Sequence, residues 1–212
     1  MKKLVEGGLV SGIAMTYGAE ENTFCASCTY AKATRKSVPK VRDDANRTTA
    51  FGEEIHSDLW GPAPVQMLSH CHYYVSFTDD FSRLTHLYLL RRKSDTFQAH
   101  KEYEAWCQTQ MGMPIKALRT DRGGEYLSKE FQQHLKAAGT EHRLTMHDTP
   151  TQNSVAEHLN WTLIEKVHAM LHTSGLPMML WGEAVRHTVW LKNCTSTRAL
   201  EGITPLQAMT SK

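Results

Sequence analysis

Apolar and polar positions alternate over Glu54–Trp60, with Ile55 and Leu59 on one side and His56, Asp58 and Trp60 on the other. Gly61-Pro62 ends this strand. His72–Thr78 (HYYVSFT) is dense in aromatic and β-branched residues, Asp79-Asp80-Phe81-Ser82 reads as a turn, and Leu84–Arg91 (LTHLYLLR) is the return strand. Residues 54–91 are therefore expected to form a three-stranded antiparallel unit. The period then changes. After Ser94, a candidate cap, Ala99, Tyr103, Trp106, Cys107 and Met111 recur at helical spacing until Gly112 and Pro114 stop the run. Ile115–Thr120 is a short buried strand leading into Asp121. Ser128 caps a second helix, with Phe131, Leu135 and Ala138 on one face and Gly139 at its end. Thr140–Thr145 reads as a fifth strand and the polar stretch Met146–Asn153 as a mobile loop. A long helix runs from Ser154 to about Thr173 with Val155, Leu159, Leu163, Val167 and Leu171 in register. Gly175-Leu176-Pro177 breaks it, and Pro177 opens a last helix with Trp181, Ala184, Val185, Thr188 and Leu191 inward.

The order β-β-β-α-β-α-β-α-α predicts an α/β fold: a mixed five-stranded sheet, its first three strands antiparallel, flanked by helices on both faces. With the first strand central, Asp58 and Asp121 come from neighbouring strands, and Glu157 enters from the first turn of a helix. Composition agrees with one sizeable core, at 212 residues with 41% hydrophobic and 22% charged. No apolar run reaches the 18 or so residues of a membrane span, and no signal peptide is read at the N-terminus. The five cysteines, an odd number, argue for a reducing compartment.

Net charge is only +2, so nucleic-acid binding cannot rest on the total. Between Thr29 and Thr49, however, Lys32, Arg35, Lys36, Lys40, Arg42 and Arg47 face only Asp43 and Asp44. That run is either a solvated linker or a strap that tracks a phosphate backbone. Cys25-Ala-Ser-Cys28 is half of a tetrahedral zinc site, but no histidine precedes it, and by itself two thiols on a loop is the better reading.

Asp58, Asp121 and Glu157 have the residue chemistry of a two-metal phosphoryl-transfer site, in which Mg²⁺ needs oxygen ligands and no histidine cage. Each has a plainer reading. Asp58 is depleted in strands as a type but could lie on an exposed face. Asp121 could be a turn residue, beside Glu125, with Gly123 and Gly124 allowing close backbone approach. Ser154-Val155-Ala156-Glu157 fits a capping box, which spacing alone favours. The twelve histidines contain no HExxH pattern, and no phosphate loop of the P-loop type appears, so neither a zinc hydrolase nor a nucleotide cofactor is expected.

The phrases HSDLWGPAPV, YYVSFTDDFSRLTHLYLL, IKALRTDRGGEYLSKEF, DTPTQNSVAEHLNWTL, LPMMLWGEAV and ITPLQA, covering about residues 51–208, closely resemble the integrase core of copia-type LTR retrotransposons. That family lies in the retroviral integrase superfamily of RNase H-like fold. The resemblance implies a catalytic, metal-binding triad at Asp58, Asp121 and Glu157, holding two Mg²⁺ or Mn²⁺ ions. It implies 3′-end processing and strand transfer of element cDNA into target DNA, self-association to bring two DNA ends together, and action in the nucleus. Nucleic-acid binding, to DNA and by class to RNA, is then expected at Arg122, Gly123, Asn153, His158, Asn160 and Trp161, with Lys32, Arg35 and Lys36 in the basic linker.

Residues 1–31 resemble the second half of the family's zinc-binding domain, followed by a linker at 32–50 and the core at 51–212. The two histidines that complete the family's zinc site would precede this segment, so it is expected to be truncated, with zinc not bound at Cys25 and Cys28. The family usually has Gly at the position of Ser154, Arg at that of His158 and a basic residue at that of Trp161. Losing those cations removes phosphate contacts. The chain is thus also compatible with a decayed fragment, at most a nucleic-acid-binding or self-associating module without catalysis.

Overall fold

The computed structural model describes residues 48–145 and 154–210, without the side chains of Ser154, Val155 and Glu157. Five strands form one sheet in the order β3-β2-β1-β4-β5: β1 (Ile55–Trp60), β2 (Tyr73–Asp79), β3 (Thr85–Leu90), β4 (Ala117–Thr120) and β5 (Glu141–Leu144). β1 pairs antiparallel with β2 and parallel with β4, so the first strand is the centre of the sheet. The helices are α1 (Thr96–Trp106), α2 (Lys129–Ala138), α3 (Ser154–Ser174), α4 (Trp181–Asn193) and a short α5 (Pro205–Thr210).

Period-two alternation along the strands separates two cores. On one face Ile55, Val75, Phe77 and Leu118 meet Ala99 and Tyr103 of α1 and Phe131 and Leu135 of α2. On the other, Tyr74 and the flanking Trp60 and Leu87 meet Leu159, Leu163 and Val167 of α3 and Trp181, Val185 and Val189 of α4. Among the described residues no helix is long and apolar enough to cross a membrane.

The local signals behave as their chemistry requires, with corrections. Ser128 caps α2, its hydroxyl accepting from the Phe131 amide at 3.3 Å, and Gly139 closes the helix at φ +73°. Ser94 is not a cap: it lies in a 3₁₀ turn at Lys93–Asp95, where Asp95 accepts from the Arg92 amide instead. Beyond Trp106 the helix widens into a π turn, Cys107–Met111, before Gly112. Ala138 and Leu191 were expected inward and are exposed; on α4 the inward position goes to Val189, one turn after Val185. Pro177 precedes a 3₁₀ turn at Met178–Leu180 rather than opening α4 directly.

Asp79 and Asp80 do more than turn the chain. Both are fully buried. Asp79 accepts from the Gly52 amide at 2.9 Å and from the Ser82 amide and hydroxyl at 2.7 Å each. Asp80 joins His56 Nε2 at 3.1 Å and Arg83 at 3.2 Å. Glu54, at 4% exposure, accepts both a two-pronged contact from Arg119 (2.7 and 3.1 Å) and a bond from Arg143 at 2.6 Å. Charge at this end of β1 therefore fastens β1, β4 and β5 together.

His86 on β3 lies against Trp106, ring centroids 3.9 Å apart, and burial pushes its imidazole down to about 4. A histidine whose folded value is depressed leaves the unfolded chain holding the extra proton. Its contribution is complete above the ordinary 6.5 and is lost as pH falls from there towards 4. Thermal melts across that window should show a falling Tm, and His86→Phe should flatten the fall.

Candidate active site

The middle of β1 places Asp58 on the face that α3 covers. Its antiparallel partner is Ser76, small enough to leave room, and Ser76 Oγ donates to the Asp58 carbonyl at 3.5 Å. On the other side β1 and β4 run parallel, with Ile55 beside Leu118 and His56 beside Arg119. Continuing that register by two residues brings Asp121, directly after Thr120 at the end of β4, alongside Asp58. Asp58 within β1 and Asp121 just past β4 thus lie side by side on the parallel pair, towards the side of the sheet where an open α/β fold presents its ligand crevice.

Asp58 is held on both oxygens. Oδ1 accepts from the Leu59 amide at 3.1 Å and Oδ2 from Asn160 Nδ2 at 2.7 Å. Asn160 Oδ1 accepts in turn from the Tyr74 hydroxyl at 3.1 Å, which fixes which way its amide points. Tyr74 is fully buried and stacks on Trp60 at 5.2 Å. Burial, then the Asp58 charge, holds its phenol well above the ordinary range, so it remains a donor. Asn160 was expected to face nucleic acid; it is 6% exposed, and both ends of its amide are engaged inside the fold.

A second chain of bonds sets Asp121. Gln132 Nε2 can only donate, so at 2.7 Å it makes His142 Nδ1 the acceptor and leaves the proton on Nε2. His142 Nε2 then meets Thr120 Oγ1 at 2.9 Å, and Thr120 donates to the Asp121 carbonyl at 2.7 Å. Burial lowers His142, in keeping with a neutral ring. Asp121 Oδ1 accepts from the Gly123 amide at 3.0 Å. A Cβ on Gly123 would lie 2.7 Å from Glu125 Oε1 and 3.0 Å from Asp121 Oδ1, so this glycine lets two carboxylates share one turn. Gly124 has nothing within 4 Å of a built Cβ, and space does not demand glycine there.

The acidic groups converge. The fully buried Tyr126 bonds Ser57 Oγ at 2.9 Å, and its phenol is raised by burial first and then by the charges of Asp58, Asp121 and Glu125. A cleft of about 430 Å³ opens between residues 58–62 and Asn160, Trp161 and Ile164 of α3. Trp161 is 58% exposed beside it, and His158 and Arg122 are exposed as well. Glu157 lies in the first turn of α3, three residues before Asn160. Its side chain, and with it the choice between cap and ligand, falls outside the described residues, as do Asn153, Lys32, Arg35, Lys36, Cys25 and Cys28.

A mixed sheet in this strand order, flanked by helices, has a counterpart among known families. Residues 49–150 match the model of the integrase core domain. This chain carries an integrase core domain. Over 188 residues it is 34% identical to the retrovirus-related Pol polyprotein from transposon TNT 1-94 of Nicotiana tabacum, taking in 89% of this chain and 14% of that polyprotein. The chain thus spans a small part of the curated relative it matches. Two solved structures share the fold. One is a chain of the simian T-cell lymphotropic virus intasome in complex with PP2A regulatory subunit B56 gamma, with TM-score 0.64, 21% identity, and 85% of this chain and 63% of that one covered. The other is the HTLV-2 integrase catalytic core domain in complex with magnesium, in a trimeric form, with TM-score 0.55, 17% identity, and coverage of 74% and 96%. The matches show an integrase core domain and the five-stranded mixed sheet of the retroviral integrase catalytic core.

Sequence reasoning did not find the supporting residues of this integrase core. Tyr74, Ser57, Thr120, Gln132 and His142 read only as polar or aromatic residues in strands and helices. Their one signal was a hydroxyl or amide at a position the periodicity assigns to the interior, which demands a partner.

Proposed function

We propose that this integrase core is a metal-dependent polynucleotidyl transferase that trims a cDNA 3′ end and joins it to target DNA. The observation that carries the reading is the parallel pairing of β1, which holds Asp58, with β4, which leads into Asp121, with Asn160 locking Asp58 from α3. The donors fit a hard divalent cation: they are carboxylate oxygens, which can accept beyond the amide bonds they receive. Bound Mg²⁺ or Mn²⁺, as a pair, would supply activation of the attacking hydroxyl and neutralisation of the leaving oxygen. Asp58, Asp121 and Glu157 would hold the two ions. Asn160 and Tyr74 are positioning residues that keep Asp58 in one rotamer, so the charge is oriented before substrate arrives.

DNA would lie along the cleft, against Trp161 and His158 of α3 and the Arg122-Gly123 turn, with Asn153 at the entry of α3. Lys32, Arg35 and Lys36 would follow the backbone further out. The same reading keeps residues 51–212 as the core and 32–50 as a basic linker, expects self-association because two ends are joined together, and places the work in the nucleus.

The test is a joining assay with a labelled DNA end, a target duplex and Mg²⁺ or Mn²⁺. Joined product supports the reading. Salt-sensitive DNA retention with no product under either metal favours a module that binds without turnover, a reading to which the exposed Trp161 and His158, neither a fixed cation, lend weight. Trp161→Lys should tighten DNA retention and steepen the slope of log affinity against log salt by about 0.9, one added phosphate contact. Filter binding across a salt series measures it.

A further inference from the structure

The face of the sheet away from α3 carries a cluster that the joining chemistry does not use. His100 and Glu104 lie one turn apart on α1 and so share a face, and His134 comes across from α2. One ligand atom from each lies within 4.8 Å of the others. The plainer account is an ordinary ion pair, since His134 Nε2 and Glu104 Oε2 are 2.7 Å apart. That account leaves out His100. Its side chain is fully buried, its ring lies against Phe131 and Phe77 at 5.0 and 5.9 Å, and neither ring nitrogen has a hydrogen-bond partner. A buried imidazole with both nitrogens idle is a costly residue to keep without a ligand.

We propose that His100, Glu104 and His134 form a zinc site that ties α1 to α2. Two imidazoles and one carboxylate are a recognised zinc donor set, with a fourth position left to water. Burial pushes the His100 imidazole down to about 3, which keeps it in the neutral form a metal needs. Tetrahedral zinc draws its ligand atoms to roughly 3.3 Å of one another. Binding therefore requires a present spread of up to 4.8 Å to close. Glu104 and His134 are 24% and 29% exposed, so the ion has a way in from solvent. On binding, the ring of His134 ligates through one nitrogen and keeps its proton on the other, and the His134–Glu104 hydrogen bond is replaced by one bond from each residue to zinc. The site lies on the other face of the sheet from Asp58.

The experiment uses the full chain, stripped with a chelator, in a Cys25→Ser, Cys28→Ser background, so that the paired thiols of the Cys-x-x-Cys phrase contribute nothing. Zinc is titrated against a chromophoric chelator and melting is followed in parallel. One zinc per chain is expected, with Tm raised by several degrees, and both unchanged by Asp58→Asn. Glu104→Gln and His134→Asn change half-exposed side chains that the fold tolerates, and each should weaken zinc at least tenfold and remove the Tm rise. Substitution with Co²⁺ should give visible bands of a four-coordinate nitrogen and oxygen site. No zinc uptake in this background, or uptake indifferent to Glu104→Gln and His134→Asn, would overturn the proposal.

Discussion

Asp58→Asn and Asp121→Asn are each expected to reduce DNA joining by about 10³-fold or more, with the melting temperature little changed. The substitution keeps shape and removes one negative charge. At position 58 the new amide still accepts from Asn160 or Leu59 on its oxygen, but its NH₂ group offers the other neighbour a donor where an acceptor stood. At position 121 the oxygen that accepts from Gly123 can remain in place. A hard divalent cation loses a charged ligand in both cases, and a neutral amide does not replace it. Calorimetric titration with Mn²⁺, alone and with a DNA end present, separates loss of metal from loss of DNA. Saturable binding in the parent that vanishes in both variants places the two aspartates at one metal site. Activity that survives both substitutions would belong to a contaminant.

Glu54→Ala should lower stability by about 3 kcal/mol, read as a shift of the urea midpoint at constant slope. Glu54 is 4% exposed and receives Arg119, Arg143 and, at 3.4 Å, His56. Removing the carboxylate leaves Arg119 and Arg143 aimed at an empty space between β1, β4 and β5, while His56 keeps Asp80 at 3.1 Å. The figure belongs at the lower end of the 3–5 kcal/mol range for broken buried pairs. Arg119 and Arg143 are 22% and 41% exposed and recover part of their hydration. Acid should act in the same direction. Burial opposes the Glu54 charge, but hydrogen bonds from Arg119 and Arg143 outweigh it and hold the carboxyl below its ordinary 4.5. A depressed acid gives stability that is complete above the unfolded value and disappears as pH falls through the folded one. Glu54→Ala should therefore be less acid-sensitive than the parent below pH 4.5.

The elements were legible from local signals: alternation in β1, aromatic and β-branched density in β2, and a period of 3.6 for the run that buries Leu159, Leu163, Val167 and Leu171. Asp58 and Asp121 were legible as candidates, and the central position of β1 turned a distance of sixty residues in sequence into adjacency. What periodicity could not show was direction within a polar side chain. Asn160 carries both a donor and an acceptor, and its inward turn depends on Tyr74 from another strand, a contact no local pattern encodes. His100 was missed for a related reason. Its place on α1 is helical and interior, and a histidine there looks like any other core filler until its missing partners are seen.

The central position of β1 also sets a timetable for synthesis. The β1–β2–β3 meander is complete once Leu90 has emerged, yet α1 follows it and both β4 and α3 come later still. At ~5–20 residues per second, seconds pass before α3 arrives to cover Tyr74 and Trp60. For that interval the nascent chain presents an open edge on β1 and an aromatic face, both good substrates for a ribosome-bound chaperone. Translation speed across the segment that follows β3, more than thermodynamic stability, would then govern how much of the chain reaches the native state.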